Sequence, residues 1–123
     1  MREELVVRRM GDLVVMSLHG ACGSSVLGQL EVKCREEILR RTKHILLDCQ
    51  YVTSLHPTAL KTLLSKTSEA EKAGINLVLY QVHPDQAREI QDSGLDAVLH
   101  IKKDFQDAYL HCKAKEAAGR AVL

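Results

Sequence analysis

The chain has 123 residues, enough for one domain with a buried core and too few for two independent ones. Its hydrophobic fraction of 46% is typical of a globular protein and argues against disorder. Lysine and arginine number 17 against 16 acidic residues, for a net charge of +1, so there is no global basic field to attract nucleic acid or an anionic membrane.

Two strands open the predicted fold. Residues 5–9 and 13–18 are rich in apolar and β-branched side chains, and the Gly-Asp turn between them favours a hairpin. A helix follows, and Ser24 or Ser25 is placed to cap it by accepting hydrogen bonds from its free amide groups. The pattern indicates an amphipathic helix whose apolar face is formed by Leu27, Leu30, Cys34 and Ile38.

The centre of the chain reads as a strand, a helix and a second strand. Residues 45–49 form a short apolar run, residues 57–73 have the spacing of one helix face, and residues 75–80 form another apolar run. Gly74 is placed to end the helix in the left-handed conformation. Because the crossover in such a unit is almost always right-handed, we expect the two strands to be parallel and covered on both sides.

The last third of the chain repeats the alternation of helix and strand. Pro84 starts a short helix that Gly94 closes, residues 98–102 form an edge strand, and residues 105–112 carry the apolar stripe of a final helix. The predicted order is ββαβαβαβα. It specifies an α/β fold with a mixed sheet of four to five strands and about four helices packed on it.

Cysteine usage and hydropathy indicate the compartment. The four cysteines have no close pair, and the amino terminus has no apolar run followed by a small-residue cleavage site, which together favour reduced thiols in a cytoplasmic protein. No stretch approaches the ~20 consecutive apolar residues needed to cross a bilayer, so we expect no membrane insertion. The cysteines are Cys22, Cys34, Cys49 and Cys112.

The order of elements resembles a STAS domain, the fold shared by anti-sigma-factor antagonists and sulphate-transporter tails. The resemblance rests on the hairpin, the strand that ends in Asp48, the following turn and helix, Gly74, Pro84 and the Ser-Gly-Leu-Asp segment that begins at Ser93. It covers about residues 5–112. It implies a single STAS-like domain over residues 1–123, in which residues 113–123 are a helix end or a frayed tail.

The turn after the central strand carries the most specific part of the resemblance. Family members that act as partner switches have Asp-Ser-Ser-Gly or Asp-Ser-Thr-Gly at the start of the second helix, and a kinase phosphorylates the third residue. Counted without gaps from the central strand, these four positions are His56, Pro57, Thr58 and Ala59. The resemblance therefore implies that Thr58 is the phosphoacceptor, while the other three residues depart from the family pattern. The alternative interpretation is that Thr58 forms an ordinary helix start.

The function that the resemblance implies is non-enzymatic regulation through protein contacts. The partner would be an anti-sigma factor or a serine/threonine kinase, bound through the turn and helix at residues 54–73. A phosphothreonine there would add roughly two negative charges and repel a docked partner. No cofactor is implied, and the residues predicted to bind the partner are Ser54, His56, Pro57, Thr58, Ala59 and Lys61.

Two other classes of function stay open at this point. One is a constitutive scaffold subunit, as in the stress-signalling or lipid-transport complexes that resemble this family. The other is a small-ligand module or minor enzyme that uses a cleft near His56 and Cys49. The six histidines have no spacing that places two of them on one helix face with a carboxylate, so the sequence predicts no metal site.

Overall fold

The computed structural model describes residues 3–122, with side chains described as far as residue 118. The element order agrees with the prediction, with one additional short 3₁₀ turn after the third helix. The elements are β1 Glu4–Met10, β2 Leu13–His19, α1 Ser24–Leu39, β3 His44–Asp48, α2 Pro57–Lys72, β4 Asn76–Tyr80, α3 Pro84–Asp92, the 3₁₀ turn Leu95–Ala97, β5 Ile101–Lys102 and α4 Phe105–Val122.

The five strands form one mixed sheet in the order β1-β2-β3-β4-β5. Strands β1 and β2 are an antiparallel hairpin, and β2, β3, β4 and β5 run parallel to one another. The predicted mixed sheet with four packed helices is therefore confirmed. In a parallel sheet the carboxyl ends of the strands meet at one edge, where the connecting loops stand clear of the sheet.

Side chains alternate between two faces of this sheet, because successive residues of a strand point in opposite directions. The larger core lies on the face covered by α1, α2 and α3, and includes Met16, Leu47 and Leu79. The smaller core lies on the opposite face under α4, and includes Val15, Leu46, Val78, Tyr80, Ala108 and Cys112. Burial of the central strands on both faces explains why they read as continuous apolar runs.

The predicted cap of α1 was wrong. The helix begins at Ser24, so Gly23 is the capping residue, and neither Ser24 nor Ser25 makes a side-chain cap. The amide of Gly23 instead donates to Glu3 Oε1 at 2.7 Å. The carboxylate of Glu3, the residue before β1, therefore bonds the start of α1 in the absence of a serine cap, and a contact between residues so far apart in sequence has no local signal.

The predicted edge strand at residues 98–102 is shorter than expected. Only Ile101–Lys102 pairs with β4. Upstream of it, the amides of Val98 and Leu99 both donate to the Leu95 carbonyl, at 3.0 and 2.8 Å. The helical turn that follows Gly94 thus extends into the apolar run and removes three residues from the strand.

Lys66 of α2 is a charged residue that the fold buries. It is only 7% exposed. Its ammonium lies 3.1 Å from Glu69 Oε2, one helical turn away. The buried charge is therefore paired, as buried charges in proteins usually are.

Candidate functional site

The loop between β3 and α2 is held to the sheet by backbone and side-chain hydrogen bonds. Asp48 Oδ1, at the end of β3, accepts from the Gln50 amide at 2.9 Å. The Gly20 amide donates to the Tyr51 carbonyl at 3.1 Å, and the Thr53 amide donates to the Gly20 carbonyl at 2.8 Å. The loop therefore continues the pairing with the end of β2, and this fixes where α2 begins.

Helix α2 begins without a side-chain cap. His56 precedes the helix in an extended conformation and makes no side-chain cap, Pro57 is its first residue, and no acidic residue lies in its first turn. The amides of Ala59 and Leu60 both donate to the His56 carbonyl, at 2.9 and 3.2 Å. Thr58 is the second helical residue and is exposed. Its hydroxyl thus lies at the positive end of the helix dipole.

The structure brings five of the six predicted partner-binding residues to one exposed surface. Ala59 is the exception, because it is fully buried and packs into the larger core. Its methyl group points into that core. We call the remaining set the α2-start surface, and it consists of Ser54, His56, Pro57, Thr58 and Lys61.

Helix α3 borders the α2-start surface. The sequence pattern did not predict this neighbour. A cavity of about 530 Å³ separates the β3–α2 loop from the start of α3. Across it, Gln86 Nε2 donates to the Val52 carbonyl at 3.1 Å, and His83 Nε2 lies 3.1 Å from the Gln50 carbonyl. The Gln86 side-chain oxygen is buried without a hydrogen-bond partner in the described part of the chain. Contacts between segments more than 30 residues apart leave no local pattern, so only the fold reveals them.

The cleft suggested near His56 and Cys49 is not formed by the described residues. His56 is exposed, whereas Cys49 is 4% exposed in the larger core. Burial raises the pKa of the Cys49 thiol, with the Cys22 thiol and the Asp48 carboxylate adding to the shift. A protonated, buried thiol is a poor nucleophile, so the geometry does not support thiol chemistry at this site.

One cluster of possible metal ligands lies at the opposite edge of the sheet. Asp12, His44 and Glu116 each place a ligand atom within 4.8 Å of the others. Glu116 also lies 3.4 Å from the Lys43 ammonium and 3.3 Å from the Lys113 ammonium. These two ammonium groups already neutralise the negative charge of the Glu116 carboxylate, which a metal cation would otherwise bind. The cluster is therefore an ion-pair network that fastens α4 to the sheet.

Comparison with known proteins gives one family and one fold. The family model described as STAS domain matches residues 4–108. An anti-sigma factor antagonist from Mycobacterium paratuberculosis is 19% identical with a TM-score of 0.79, over 91% of this chain and 95% of that one. A phosphorylated form of the Bacillus cell fate determinant SpoIIAA is 17% identical with a TM-score of 0.65, over 95% of this chain and 98% of that one.

A third similar structure comes from an assembly. It is described as the molecular architecture of the stressosome, a signal integration and transduction hub, and is 18% identical with a TM-score of 0.65, over 89% of this chain and 96% of that one. At these identities the likeness shows the shared fold. No curated protein sequence matches the chain. Within residues 3–122, no helix has both the length and the apolar composition that a bilayer span requires.

Proposed function

The chain belongs to the STAS domain family, and from this membership we propose that it is a regulatory protein that binds an anti-sigma factor or a serine/threonine kinase through the α2-start surface. The observation that carries the proposal is the exposed hydroxyl of Thr58 at the second position of an uncapped helix. The fold match to an anti-sigma factor antagonist supports the same class of function. The four buried, unpaired thiols support a cytoplasmic location.

Phosphorylation of Thr58 is the proposed control of this binding. A phosphate adds roughly two negative charges and three acceptor oxygens. The positive end of the helix dipole at the start of α2 would stabilise those charges by about 0.3 to 2 kcal/mol. No acidic side chain in the first turn of the helix opposes them. The protein would therefore tolerate the phosphate, while a partner docked at the same place would be repelled.

A kinase assay tests whether Thr58 accepts phosphate. The full chain is incubated with ATP and candidate serine/threonine kinases, and its intact mass is measured. We expect wild type and Thr53→Ala to gain one phosphate and Thr58→Ala to gain none. Thr53 is an exposed threonine of the same loop and serves as the matched control.

A binding assay tests the surface separately. We expect Thr58→Glu to weaken the affinity for the partner about tenfold or more, because each tenfold corresponds to about 1.4 kcal/mol of lost interaction and a carboxylate supplies part of the phosphate charge. Thr53→Glu should bind as wild type does. Unchanged binding by Thr58→Glu, together with no phosphorylated species from any kinase, would show that the switch does not exist.

A constitutive scaffold subunit is the second candidate function. The fold match to the stressosome structure supports it, as do the residues that differ from the family motif, His56, Pro57 and Ala59. A scaffold subunit should elute within a large complex on size-exclusion chromatography of a native lysate. For a scaffold subunit, that complex should persist in the Thr58→Glu variant. For a switch protein, the same variant should dissociate from its partner.

A further inference from the structure

A row of polar side chains crosses the sheet at the carboxyl ends of its parallel strands. Ser17 of β2 pairs with Asp48 of β3, Asp48 pairs with Tyr80 of β4, and Tyr80 pairs with Lys102 of β5. Neighbouring strands lie ~4.8 Å apart, so paired residues present their side chains side by side on one face. This is the face that α4 covers, opposite the face packed against α1 and α2.

Helix α4 covers only part of this face. At the amino ends of the strands it closes the sheet, where Glu116 contacts His44 at 3.2 Å. At the carboxyl ends it begins at Phe105 and leaves the sheet open beyond that residue. The open part is a groove of about 520 Å³. This volume falls within the ~300–1,000 Å³ of typical small-molecule sites.

Two pairs of aromatic rings line the groove. His19 and Tyr51 stack with their ring centroids 4.6 Å apart. Phe105 meets Tyr80 edge to face at 5.9 Å. Val6, a further lining residue, is 44% exposed. Rings and aliphatic groups left open to water in one depression are suited to hold a flat aromatic ring.

Two opposite charges line the same groove without contacting each other. Asp48 accepts hydrogen bonds from Ser17 Oγ at 3.5 Å and from the Gln50 amide. Arg8 lines the groove from β1, and its guanidinium forms no ion pair with the side chains described, those of residues 3–118. A ligand that carries both charges would complement both groups.

The hydroxyl of Tyr80, which also lines the groove, supplies a hydrogen-bond donor. Burial, together with the nearby Asp48 carboxylate, raises the pKa of Tyr80 to about 12, so the hydroxyl stays protonated at neutral pH. Tyr80 is 6% exposed, and its ring lines the groove. The groove thus combines an apolar floor with a cation, a carboxylate and a neutral donor.

We propose that this groove binds a small aromatic zwitterion, of the chemical class of the aromatic amino acids. The ring of the ligand contacts the apolar and aromatic side chains that line the groove, the ligand carboxylate pairs with Arg8, and the ligand ammonium pairs with Asp48. None of the five residues of the α2-start surface lines the groove. The site is therefore independent of the proposed partner surface.

Nuclear magnetic resonance titration of the full chain tests the proposal, with L-phenylalanine and L-tryptophan as probes. We expect saturable amide shifts confined to residues that line the groove. Three matched molecules separate the contributions, since phenylacetate lacks the ammonium, 2-phenylethylamine lacks the carboxylate and L-alanine lacks the ring. L-alanine should produce no saturable shift.

Two conservative variants separate the charges. Arg8→Gln should weaken L-phenylalanine about tenfold and leave 2-phenylethylamine unchanged, because only the first probe has a carboxylate. Asp48→Asn, which keeps the acceptor for the Gln50 amide, should weaken both probes. Arg88→Gln is the matched control, because Arg88 is an exposed arginine on α3 and does not line the groove.

Three results would overturn the proposal. The first is the absence of saturable shifts in wild type with either amino acid, and the second is shifts that map outside the groove. The third is shifts that grow with protein concentration alone, which would show that a second copy of the chain occupies the groove. The wild-type titration decides the proposal even if a variant fails to fold.

Discussion

Gly74 shows at the scale of one residue how this chain ends a helix. It follows α2 with φ of +75°, the left-handed region that glycine adopts without a steric penalty. Its amide donates to the Glu71 carbonyl at 3.0 Å, and the Ile75 amide donates to the Ala70 carbonyl at 2.8 Å. This pair of bonds is the Schellman arrangement, and Ile75 and Ala70 supply its buried apolar contact. The predicted left-handed helix end is confirmed.

Two glycine-to-alanine substitutions should therefore change stability in opposite directions. An added Cβ meets no atom within 4 Å at either Gly74 or Gly28, so only backbone conformation differs between them. Gly74→Ala should lower the free energy of unfolding by about 1 kcal/mol through left-handed strain. Gly28→Ala, inside α1, should raise it by about 0.5 to 1 kcal/mol through helix propensity.

Urea unfolding measures both changes against wild type. Equal slopes of the free energy of unfolding with urea would show that the difference arises from stability alone. A stabilising effect of Gly74→Ala would contradict the assigned backbone conformation.

At the scale of elements, one carboxylate of α4 adds polar contacts to the apolar packing of that helix on the sheet. Glu116 contacts His44 and Lys43 at the start of β3 and Lys113 on its own helix. The hydrogen bond from His44, followed by those from the two lysines, lowers the pKa of Glu116 from 4.5 to about 2. A carboxylate with a lowered pKa stabilises the fold when it is ionised.

Acid should therefore loosen α4. The contribution of Glu116 is fully present above its unfolded pKa of 4.5 and is lost as the pH falls toward its folded pKa of about 2. Thermal unfolding from pH 6 to pH 2 should show a shallower loss of stability in Glu116→Gln than in wild type. Glu31→Gln should lose stability as wild type does, because Glu31 is exposed on α1 and forms no ion pair in the described part of the chain. Parallel curves for wild type and Glu116→Gln would refute the attachment.

At the scale of the whole molecule, the two cores contain all four thiols. Cys22, Cys34 and Cys49 lie in the larger core and Cys112 in the smaller one, and all are free. Burial raises the pKa of Cys22 and Cys112 to about 11 and that of Cys34 to about 12. The thiolate is the reactive form, so thiol reactivity reports on the integrity of both cores.

A thiol-specific disulfide reagent at pH 8 should accordingly distinguish the native from the unfolded chain. We expect negligible reaction in native buffer and reaction of all four cysteines in concentrated guanidinium, measured as released chromophore per chain. Partial burst labelling of the native protein would show that one core opens locally. Native-state labelling of Cys112 would place the opening in the smaller core, and labelling of any of the other three cysteines would place it in the larger core.

The sequence alone determined the order of the elements and the covered strands, because apolar periodicity records which faces are buried. It also located Thr58 at a helix start, since Pro57 and the following apolar spacing are local signals. The contacts between residues distant in sequence were decided only by strand register and helix placement. They buried Ala59, joined Glu116 to His44, and aligned Ser17, Asp48 and Tyr80 in one row under an open groove. Those residues are far apart in sequence, and only the packing of distant segments brings them together.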